Sequence, residues 1–486
     1  MARFAHKILL PLALPLFLAA CSTNPVTGDR QMTGLMPPEQ EAAIGAQQHP
    51  EMLKEFGGRY EDAKLQAYVD RLGQQLAAKT EVPGTRYTFT VLDSPIVNAF
   101  ALPGGYVYVS RGLMALANSE AELAGVVGHE IGHVTARHSA DRYGRGVLAQ
   151  GGAVLAGIFL GQGAGQLAQQ GAQAALASFS RGQELQADNL GIRYMTAAGY
   201  DPREMAGFLS SMGRHAQLEA LLAGQPGKAD QFSYLQTHPP TGDRAERAAA
   251  AASLTPGATY LIRQDEYMRA IDGMIYGDSP DHGFVRGRVF AHAGLGIRFE
   301  VPDGFRLLNS DQAVIGLGPG GSQIVFSEAQ GQGAYSAGDY ITNVWAKGAP
   351  LGELRPLTID GVPAATAVTR LSGQNGPVHA RLVAIAGKTG RYYRFLLTSP
   401  LEQAGRLDGA FVSSVQGFRR LSAAEKAGLK PYRIKVAQVK PGQKVADFVA
   451  TLPLKDYAEE RFRVLNNIPP GTEPRPGVWI KTIIEG

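Results

Sequence analysis

One short motif constrains this chain more than any other feature. Residues 128–133 read Gly-His-Glu-Ile-Gly-His, so His129 and His133 stand four positions apart. Ser119 and Glu122 form a capping box upstream, and apolar residues then recur at helical spacing. The segment is therefore predicted to be an amphipathic helix with both imidazoles on one face, which is the geometry needed to bind one zinc ion.

The carboxylates near this motif predict the rest of a hydrolytic site. Glu130 lies between the histidines, about 100° around the helix, where it can take a proton from water instead of binding the metal. Such a site needs a third protein ligand. A second predicted helix begins with a capping box at Ser180 and carries Glu184 and Asp188 on one face. On their own these two would indicate a solvated acidic face. Beside the histidines, we expect Glu184 to bind the metal and Asp188 to hydrogen-bond a ligand histidine.

Composition sets the class of protein. The chain has 486 residues, enough for two to four domains, and 44% hydrophobic residues, which excludes a wholly disordered chain. Its formal net charge of +4 gives no indication of nucleic-acid binding. A single cysteine excludes intrachain disulfides and cysteine-based zinc fingers.

The N-terminus is typical of an exported lipoprotein. Residues 1–20 carry two basic residues and then an apolar run too short to span a bilayer, as in a signal peptide. Residues 18–21, Leu-Ala-Ala-Cys, resemble the bacterial lipobox, which implies cleavage before Cys21 and lipidation of that residue. By analogy with known lipoproteins, Ser22 in place of an aspartate after the cysteine favours the outer membrane over the inner one, so the periplasmic face of the outer membrane is the expected location. The alternative is a buried cysteine after an ordinary signal.

At this point the chain resembles a known family. The motif His129–His133, followed about 50 residues later by Ser-Arg-Gly-Gln-Glu-Leu-Gln-Ala-Asp (180–188), resembles the gluzincin metallopeptidases of the HtpX, BepA and CAAX-prenyl-protease group. The stretches 24–28, 98–109 and 237–240 match as well. The resemblance implies a zinc endopeptidase with one Zn²⁺ per chain, held by His129, His133 and Glu184, with Glu130 as the general base.

The family resemblance also implies what the enzyme acts on. It places the chain in the periplasmic lipoprotein branch, tethered to the membrane and cleaving misfolded or stalled envelope proteins. Two alternatives stay open: a non-hydrolytic assembly factor or chaperone, and a peptidoglycan-binding adaptor that keeps the zinc domain as a scaffold.

Two elements are predicted to handle substrate. The alternating residues Tyr106, Val107 and Tyr108 predict a strand at the cleft edge, where an extended substrate could add by main-chain hydrogen bonds, although an ordinary interior strand fits too. His238 could occupy the open metal position as a gate, could donate to the oxyanion, or could be a structural loop residue. His138 matches no family position and is predicted to lie on the surface.

The predicted fold is multidomain. A lipidated tether (21–40) precedes a mainly α (α+β) metallopeptidase domain (41–252), a linker (253–283), a small β-rich α+β domain of unknown ligand (284–420) and a strand–helix–helix–strand module (432–482) that resembles LysM. That last resemblance makes peptidoglycan a candidate partner. The Gly-, Ala- and Gln-rich segment 144–179 predicts either a mobile flap over the cleft or a buried helical hairpin.

Overall fold

The computed structural model describes residues 22–24, 26–82, 84–147, 179–229, 238, 244–252, 258–310, 313–334, 336–373, 376–388 and 390–486. The predicted signal peptide, Cys21, the Pro239-Pro240 pair and nearly all of the flap segment lie outside these residues. The chain divides into two compact units: residues 1–276 with 433–484, and residues 277–432 with 485–486. No helix within the described ranges is long and apolar enough to cross a membrane.

Helices and strands are numbered here in chain order. The helices are α1 (Pro38–Glu55), α2 (Ala63–Ala77), α3 (Arg111–Leu116), α4 (Glu120–Thr135), α5 (Arg181–Ala197), α6 (Arg203–Leu222), α7 (Arg244–Ala251), α8 (Gln264–Ile271), α9 (Ala337–Asp339), α10 (Ala404–Gln416), α11 (Ala423–Gly428), α12 (Val445–Thr451) and α13 (Ala458–Leu465). The strands are β1 (Ser22–Thr23), β2 (Arg30–Gln31), β3 (Thr88–Leu92), β4 (Ala99–Leu102), β5 (Tyr106–Ser110), β6 (Ile275–Tyr276), β7 (Phe284–Arg286), β8 (Val289–His292), β9 (Ile297–Glu300), β10 (Arg306–Asn309), β11 (Val314–Leu317), β12 (Gln323–Gln330), β13 (Arg355–Ile359), β14 (Val362–Gly373), β15 (Gly376–Ala386), β16 (Arg391–Pro400), β17 (Arg419–Arg420), β18 (Tyr432–Gln438) and β19 (Trp479–Glu485).

Helix α4, the metal helix, lies in the centre of the first unit's core. Its N-terminus is capped by Ser119 as predicted, because the Ser119 hydroxyl accepts a hydrogen bond from the Glu122 amide at 3.0 Å. The other half of the predicted capping box does not form, since the Glu122 carboxylate accepts from the Asn118 amide at 2.6 Å and not from the Ser119 amide. It crosses α5 where Gly128 meets Gly191. A Cβ atom on Gly191 would lie 2.8 Å from the His129 amide nitrogen, so only glycine permits this approach. The close crossing brings the acidic residues of α5 to the histidines of α4.

A three-stranded sheet in the order β3-β5-β4 flanks the metal helix. Tyr106, Val107 and Tyr108 do form a strand, but their predicted position at the cleft edge is wrong, because β5 is the central strand and pairs with a neighbour on each side. The alternative of an ordinary interior strand is the one that the structure supports. Val107 and Tyr108 are buried.

The edge strands of this sheet are β3 and β4. The outer edge of β3 is partly covered, because the Tyr60 amide and the Gln66 side chain both donate to the Val91 carbonyl. No strand pairs with the outer edge of β4 among the residues that the structure describes.

Two segments outside the predicted peptidase range complete the first unit. The segment predicted as a linker contains α8, whose residues Tyr267, Met268 and Ile271 are buried. The C-terminal residues form β18, α12, α13 and β19, in the strand–helix–helix–strand order that the sequence predicts, and their sheet has the order β19-β18-β6. Their compact packing with the peptidase residues puts them in one unit rather than in a separate module.

The second unit is built on antiparallel sheets. Seven strands follow the order β10-β11-β12-β16-β15-β14-β13, and four more follow the order β17-β9-β8-β7. Phe299, Phe395 and Phe411 lie in its core and are almost fully buried. The overall architecture is therefore multidomain and mixed α/β.

Candidate metal centre

Four buried side chains meet at one point of the first unit. They are His129 and His133 on α4, Glu184 in the first turn of α5, and His238. Each offers one donor atom, and these atoms all lie within 4.8 Å of one another. The Nε2 atoms of His129 and His133 are 3.0 Å apart, and His238 Nδ1 lies 3.3 Å from His129 Nε2. Glu184 Oε1 lies 3.0 Å from His238 Nδ1.

These distances fit a zinc ion. Tetrahedral Zn²⁺ binds nitrogen and oxygen at about 2.0–2.2 Å, which places neighbouring donor atoms about 3.3–3.5 Å apart. The distances given above, the 3.5 Å between His133 Nε2 and Glu184 Oε1 and the 3.7 Å between His129 Nε2 and Glu184 Oε2 are close to that spacing. Imidazole nitrogens with one carboxylate are also the donor types that zinc selects.

Glu130 is poised beside the donors. It is fully buried, and neither of its carboxylate oxygens has a hydrogen-bond partner among the described residues. His238 Nε2 lies 3.7 Å from Glu130 Oε1. Burial raises the pKa of Glu130, since the nearby histidines offset that effect only in part. A raised pKa favours a group that must accept a proton and release it again.

Asp188 holds His129 as the sequence predicts. Its Oδ1 lies 2.8 Å from His129 Nδ1, so the ring's Nε2 faces the other donors. Arg244 on α7, which sequence reasoning missed, completes this arrangement. Its guanidinium donates to both Asp188 oxygens, at 2.8 and 2.7 Å, and Nη1 lies 2.9 Å from Glu184 Oε2. No local pattern indicates such a residue, because α7 follows α5 by nearly fifty positions.

The charges at this centre depend on one another. Burial alone would raise the pKa of Asp188, but hydrogen bonds from Arg244 and His129 hold that pKa well below its usual range. Burial acts in the same direction on Glu184, yet the neighbouring His238 and the other cations lower its pKa overall. Both carboxylates are therefore held in the anionic form that a divalent cation requires.

His138 is the other residue that the sequence misplaces. It is fully buried, not on the surface, and its Nδ1 lies 2.8 Å from His133 Nδ1. The reason is a break after α4, where Arg137 adopts a positive φ of 54° and the chain turns before a further helical segment at 138–147. Burial lowers the pKa of His138 to about 4, although its hydrogen bond to Gln186 acts in the opposite direction.

Comparison with known proteins agrees with this geometry. Residues 63–252 match the model of peptidase family M48, and this range contains all four donors, Glu130 and Asp188. These residues are an M48 peptidase domain. Zinc is the metal on which M48 peptidases depend, in agreement with the donor set described above.

The curated relatives extend the comparison. Over 216 residues the chain is 30% identical to the beta-barrel assembly-enhancing protease of Yersinia pestis, covering 39% of this chain and 44% of that protein. It is 32% identical over 189 residues to the mitochondrial metalloendopeptidase OMA1 of Arabidopsis thaliana, covering 39% and 36%. Its match to OMA1 of Schizosaccharomyces pombe is 30% identical over 216 residues and covers 43% and 59%. The chain thus spans between about a third and three fifths of the length of these M48 relatives.

Proposed function

We propose that this protein is a zinc-dependent endopeptidase that cleaves protein segments in the bacterial cell envelope. The observation that carries the proposal is the buried Glu130 carboxylate, without a hydrogen-bond partner in the described structure, beside four donor atoms that fit zinc. A bound zinc ion would polarise the scissile carbonyl and make a water molecule a better nucleophile. His129, His133 and Glu184 would hold it.

Glu130 performs the proton transfers. As general base it removes a proton from the attacking water, and as general acid it passes that proton to the leaving amine. Asp188 and Arg244 keep the ring of His129 in one orientation throughout. We propose His238 as a gate whose Nδ1 fills the remaining donor position and is displaced by substrate. Donation to the oxyanion is the second role that its position allows.

We propose that substrate binds as an extended strand along β4. A small cavity of about 10 Å³ lies beside this strand, and its lining includes Ala101, Leu102, Pro103, His133 and Arg137. The strand edge there is unpaired in the part of the chain that the structure describes. An unfolded segment could therefore add by main-chain hydrogen bonds, with little requirement for particular side chains. The proposed substrate-binding strand is thus β4 and not the Tyr106–Tyr108 strand expected from the sequence.

The envelope assignment rests on two further lines of support. One relative is named as a protease that enhances β-barrel assembly, and by analogy we propose misfolded or stalled outer-membrane proteins as substrates. The lipobox-like residues before Cys21 support a lipid anchor on the periplasmic face of the outer membrane. Peptidoglycan stays a candidate ligand of the C-terminal LysM-like residues. A non-hydrolytic scaffold is not favoured, since Glu130 and the ligands are all in place.

Digestion of a denatured, unlabelled protein tests the activity. We expect cleavage that stops with a chelator and returns with zinc. Glu130→Gln should bind zinc normally but lower kcat at least about 100-fold, the lower end for loss of general acid–base catalysis. Glu55→Gln, at an exposed glutamate at the end of α1, is the matched control. Equal digestion by Glu130→Gln and wild type at matched zinc content would contradict the proposal.

A further inference from the structure

A second chain of hydrogen bonds leaves the metal centre through the outer nitrogen of His133. His133 Nδ1 lies 2.8 Å from His138 Nδ1, and His138 Nε2 lies 2.7 Å from Gln186 Oε1. Gln186 Nε2 in turn donates to Asp29 Oδ2 at 2.5 Å. Four separate segments of the chain supply these residues, and in the sequence Asp29 follows the predicted lipid site at Cys21 by eight positions.

When His133 and His138 are both neutral, the donors and acceptors of this hydrogen-bond chain allow one arrangement. An ionised carboxylate only accepts hydrogen bonds, so Asp29 requires the amide NH₂ of Gln186 to face it. The Gln186 carbonyl oxygen then faces His138, whose Nε2 must donate. A neutral imidazole with a proton on Nε2 has an acceptor at Nδ1. His133 therefore donates from Nδ1 and keeps a lone pair on Nε2, the atom that faces the other metal donors.

The two ligand histidines of α4 are thus supported differently. His129 donates directly to the Asp188 carboxylate, which is the common arrangement for a metal-binding histidine. His133 reaches a carboxylate only through two neutral side chains. Whether His133 donates or accepts at Nδ1 depends on Asp29. If a donor replaced Asp29, Gln186 and His138 could each exchange their donor and acceptor atoms, and His133 Nδ1 would then accept.

The segment that carries Asp29 is folded against the first unit. The sequence predicts an irregular tether here, but β1 and β2 pair, and Asn24 closes the turn between them by accepting hydrogen bonds from the amides of Val26 and Thr27. Asn24 Nδ2 also donates to the Ala136 carbonyl at the end of the metal helix, at 2.8 Å. We refer to residues 22–33 as the N-terminal arm.

A second contact holds the arm on its other side. The Met32 amide donates to Asp141 Oδ1 at 2.8 Å, and Asp141 Oδ2 accepts from Gln183 of α5 at 3.0 Å. Asp141 is buried, so this contact is shielded from water. Although Asp29 is exposed, the turn that carries it is fixed on both sides, and its carboxylate is held at Gln186.

We propose that Asp29 of the N-terminal arm is a positioning residue for the metal ligand His133, acting through Gln186 and His138 to fix the tautomer that leaves Nε2 able to bind the metal. The inference rests on the proposed zinc site and adds a role for the arm. Metal affinity would then depend on the N-terminal arm, which lies about a hundred positions before His133 in the sequence.

Zinc affinity, measured by competition with a chromophoric chelator, tests this role. Gln186→Met keeps the length of the side chain but removes both hydrogen bonds, and we expect zinc affinity to fall about 10–100-fold, the usual loss for a partner of a metal ligand. The double variant Asp29→Asn with Gln186→Glu should restore affinity, because the asparagine NH₂ donates to the glutamate, which still accepts from His138. Asp70→Asn is the matched control, since exposed Asp70 also accepts from a glutamine, Gln74, away from the site.

The tautomer itself is a second readout that a purely structural role would not change. In metal-free wild type carrying ¹⁵N-labelled histidine, NMR should show the His133 proton on Nδ1, and in Gln186→Met that preference should weaken. If Gln186→Met does not fold, Asp29→Asn can replace it, because Asp29 is exposed. Its asparagine can donate as well as accept, so the preference for the proton on His133 Nδ1 should weaken there too. Two results would overturn the inference while leaving the proposed function intact. One is a zinc affinity of Gln186→Met equal to that of the wild type, and the other is an NMR spectrum of the wild type that places the His133 proton on Nε2. A wild type that binds no zinc would overturn both.

Discussion

At the scale of single residues, the metal centre depends on how buried charges are paired. Arg244 is 4% exposed and is the cation shared by Asp188 and Glu184. A buried ion pair adds little net stability when it is intact, but removing one partner leaves an uncompensated charge in the interior. Loss of Arg244 should therefore lower the stability of the protein even before metal or substrate binds.

Replacement of Arg244 tests this dependence. Arg244→Leu should lower the free energy of unfolding of the metal-free protein by about 3–5 kcal/mol, the cost of breaking a buried pair from one side. Urea unfolding of the metal-free protein measures it. Arg247→Leu, at an exposed position on the same helix, is the control and should change stability little. A loss below about 1 kcal/mol in Arg244→Leu would show that the two carboxylates are neutralised in another way.

His238 gives a prediction whose sign decides between two roles. If its imidazole fills a donor position at rest, His238→Ala should raise peptidase activity and weaken the discrimination between folded and unfolded substrates. If it donates to the oxyanion, the same change should lower kcat about 10²–10³-fold. Cleavage of one protein in its native and denatured forms distinguishes the two. Unchanged activity on both forms would leave only a structural role.

At the scale of helices and strands, the local parts of the site could be predicted and the long-range parts could not. The N-cap at Ser119 and the capping box at Ser180, together with helical periodicity, suffice to place the histidines and the acidic residues of α5 on helices. Tyr106–Tyr108 is correctly predicted as strand, but its central position depends on the order of pairing, which alternation does not encode. His138 and Arg244 were missed because a turn and a distant helix bring them to the site.

The C-terminal strand contributes a contact of the same long-range kind. Lys481 on β19 is fully buried, and its ammonium donates to the carbonyls of Ala115, Leu116 and Ala117 at 2.7, 3.1 and 2.7 Å. These carbonyls end α3, where a cation is favoured by the unpaired acceptors of the last turn. Burial lowers the pKa of Lys481 to about 7, with Glu122 of the metal helix acting in the opposite direction.

This contact predicts that the C-terminal strand stabilises the peptidase residues. Lys481→Met keeps an unbranched apolar stem but removes the donor to the Ala115 and Ala117 carbonyls, while the Leu116 carbonyl still accepts from Asn118 Nδ2. We therefore expect the free energy of unfolding to fall by about 1–3 kcal/mol. The effect is measured by comparing thermal or urea unfolding of the peptidase unit in the variant and in the wild type. Lys435→Met on β18 is the control, since its ion pair with Asp272 is exposed and worth little. Equal losses in the two variants would refute this role for Lys481.

At the scale of the whole molecule, the second unit is an insertion into the first. The chain leaves the peptidase unit after β6 and returns at β18, and these strands are neighbours in one sheet. The Ile434 amide donates to the Met274 carbonyl at 2.9 Å, and the Gly273 amide donates to the Ile434 carbonyl at 2.8 Å. The two ends of the insertion are therefore held together by the peptidase unit itself.

Removal of the insertion tests whether the peptidase unit is independent. A chain in which residues 277–432 are replaced by a short Gly/Ser linker should fold and bind zinc, because joining two adjacent strands by a short loop costs little entropy. Zinc stoichiometry and the melting temperature of the metal-bound form measure this. Removal of residues 433–486 as well should lower that melting temperature further, since β19 and Lys481 are then lost. Failure of the first deletion to fold would show that the insertion supports the peptidase unit.

The discontinuous peptidase unit also has a consequence for how the protein is made. The metal ligands lie before residue 240, but β18 and β19 that complete their unit are synthesised only after the whole of 277–432. During synthesis, the nascent chain carries the ligand residues without the strand that supplies Lys481. Contacts between residues this far apart in the chain also form late in folding. The order of synthesis therefore delays completion of the peptidase unit until nearly the full length of this chain is available, which limits the time in which a nascent copy could cleave its neighbours.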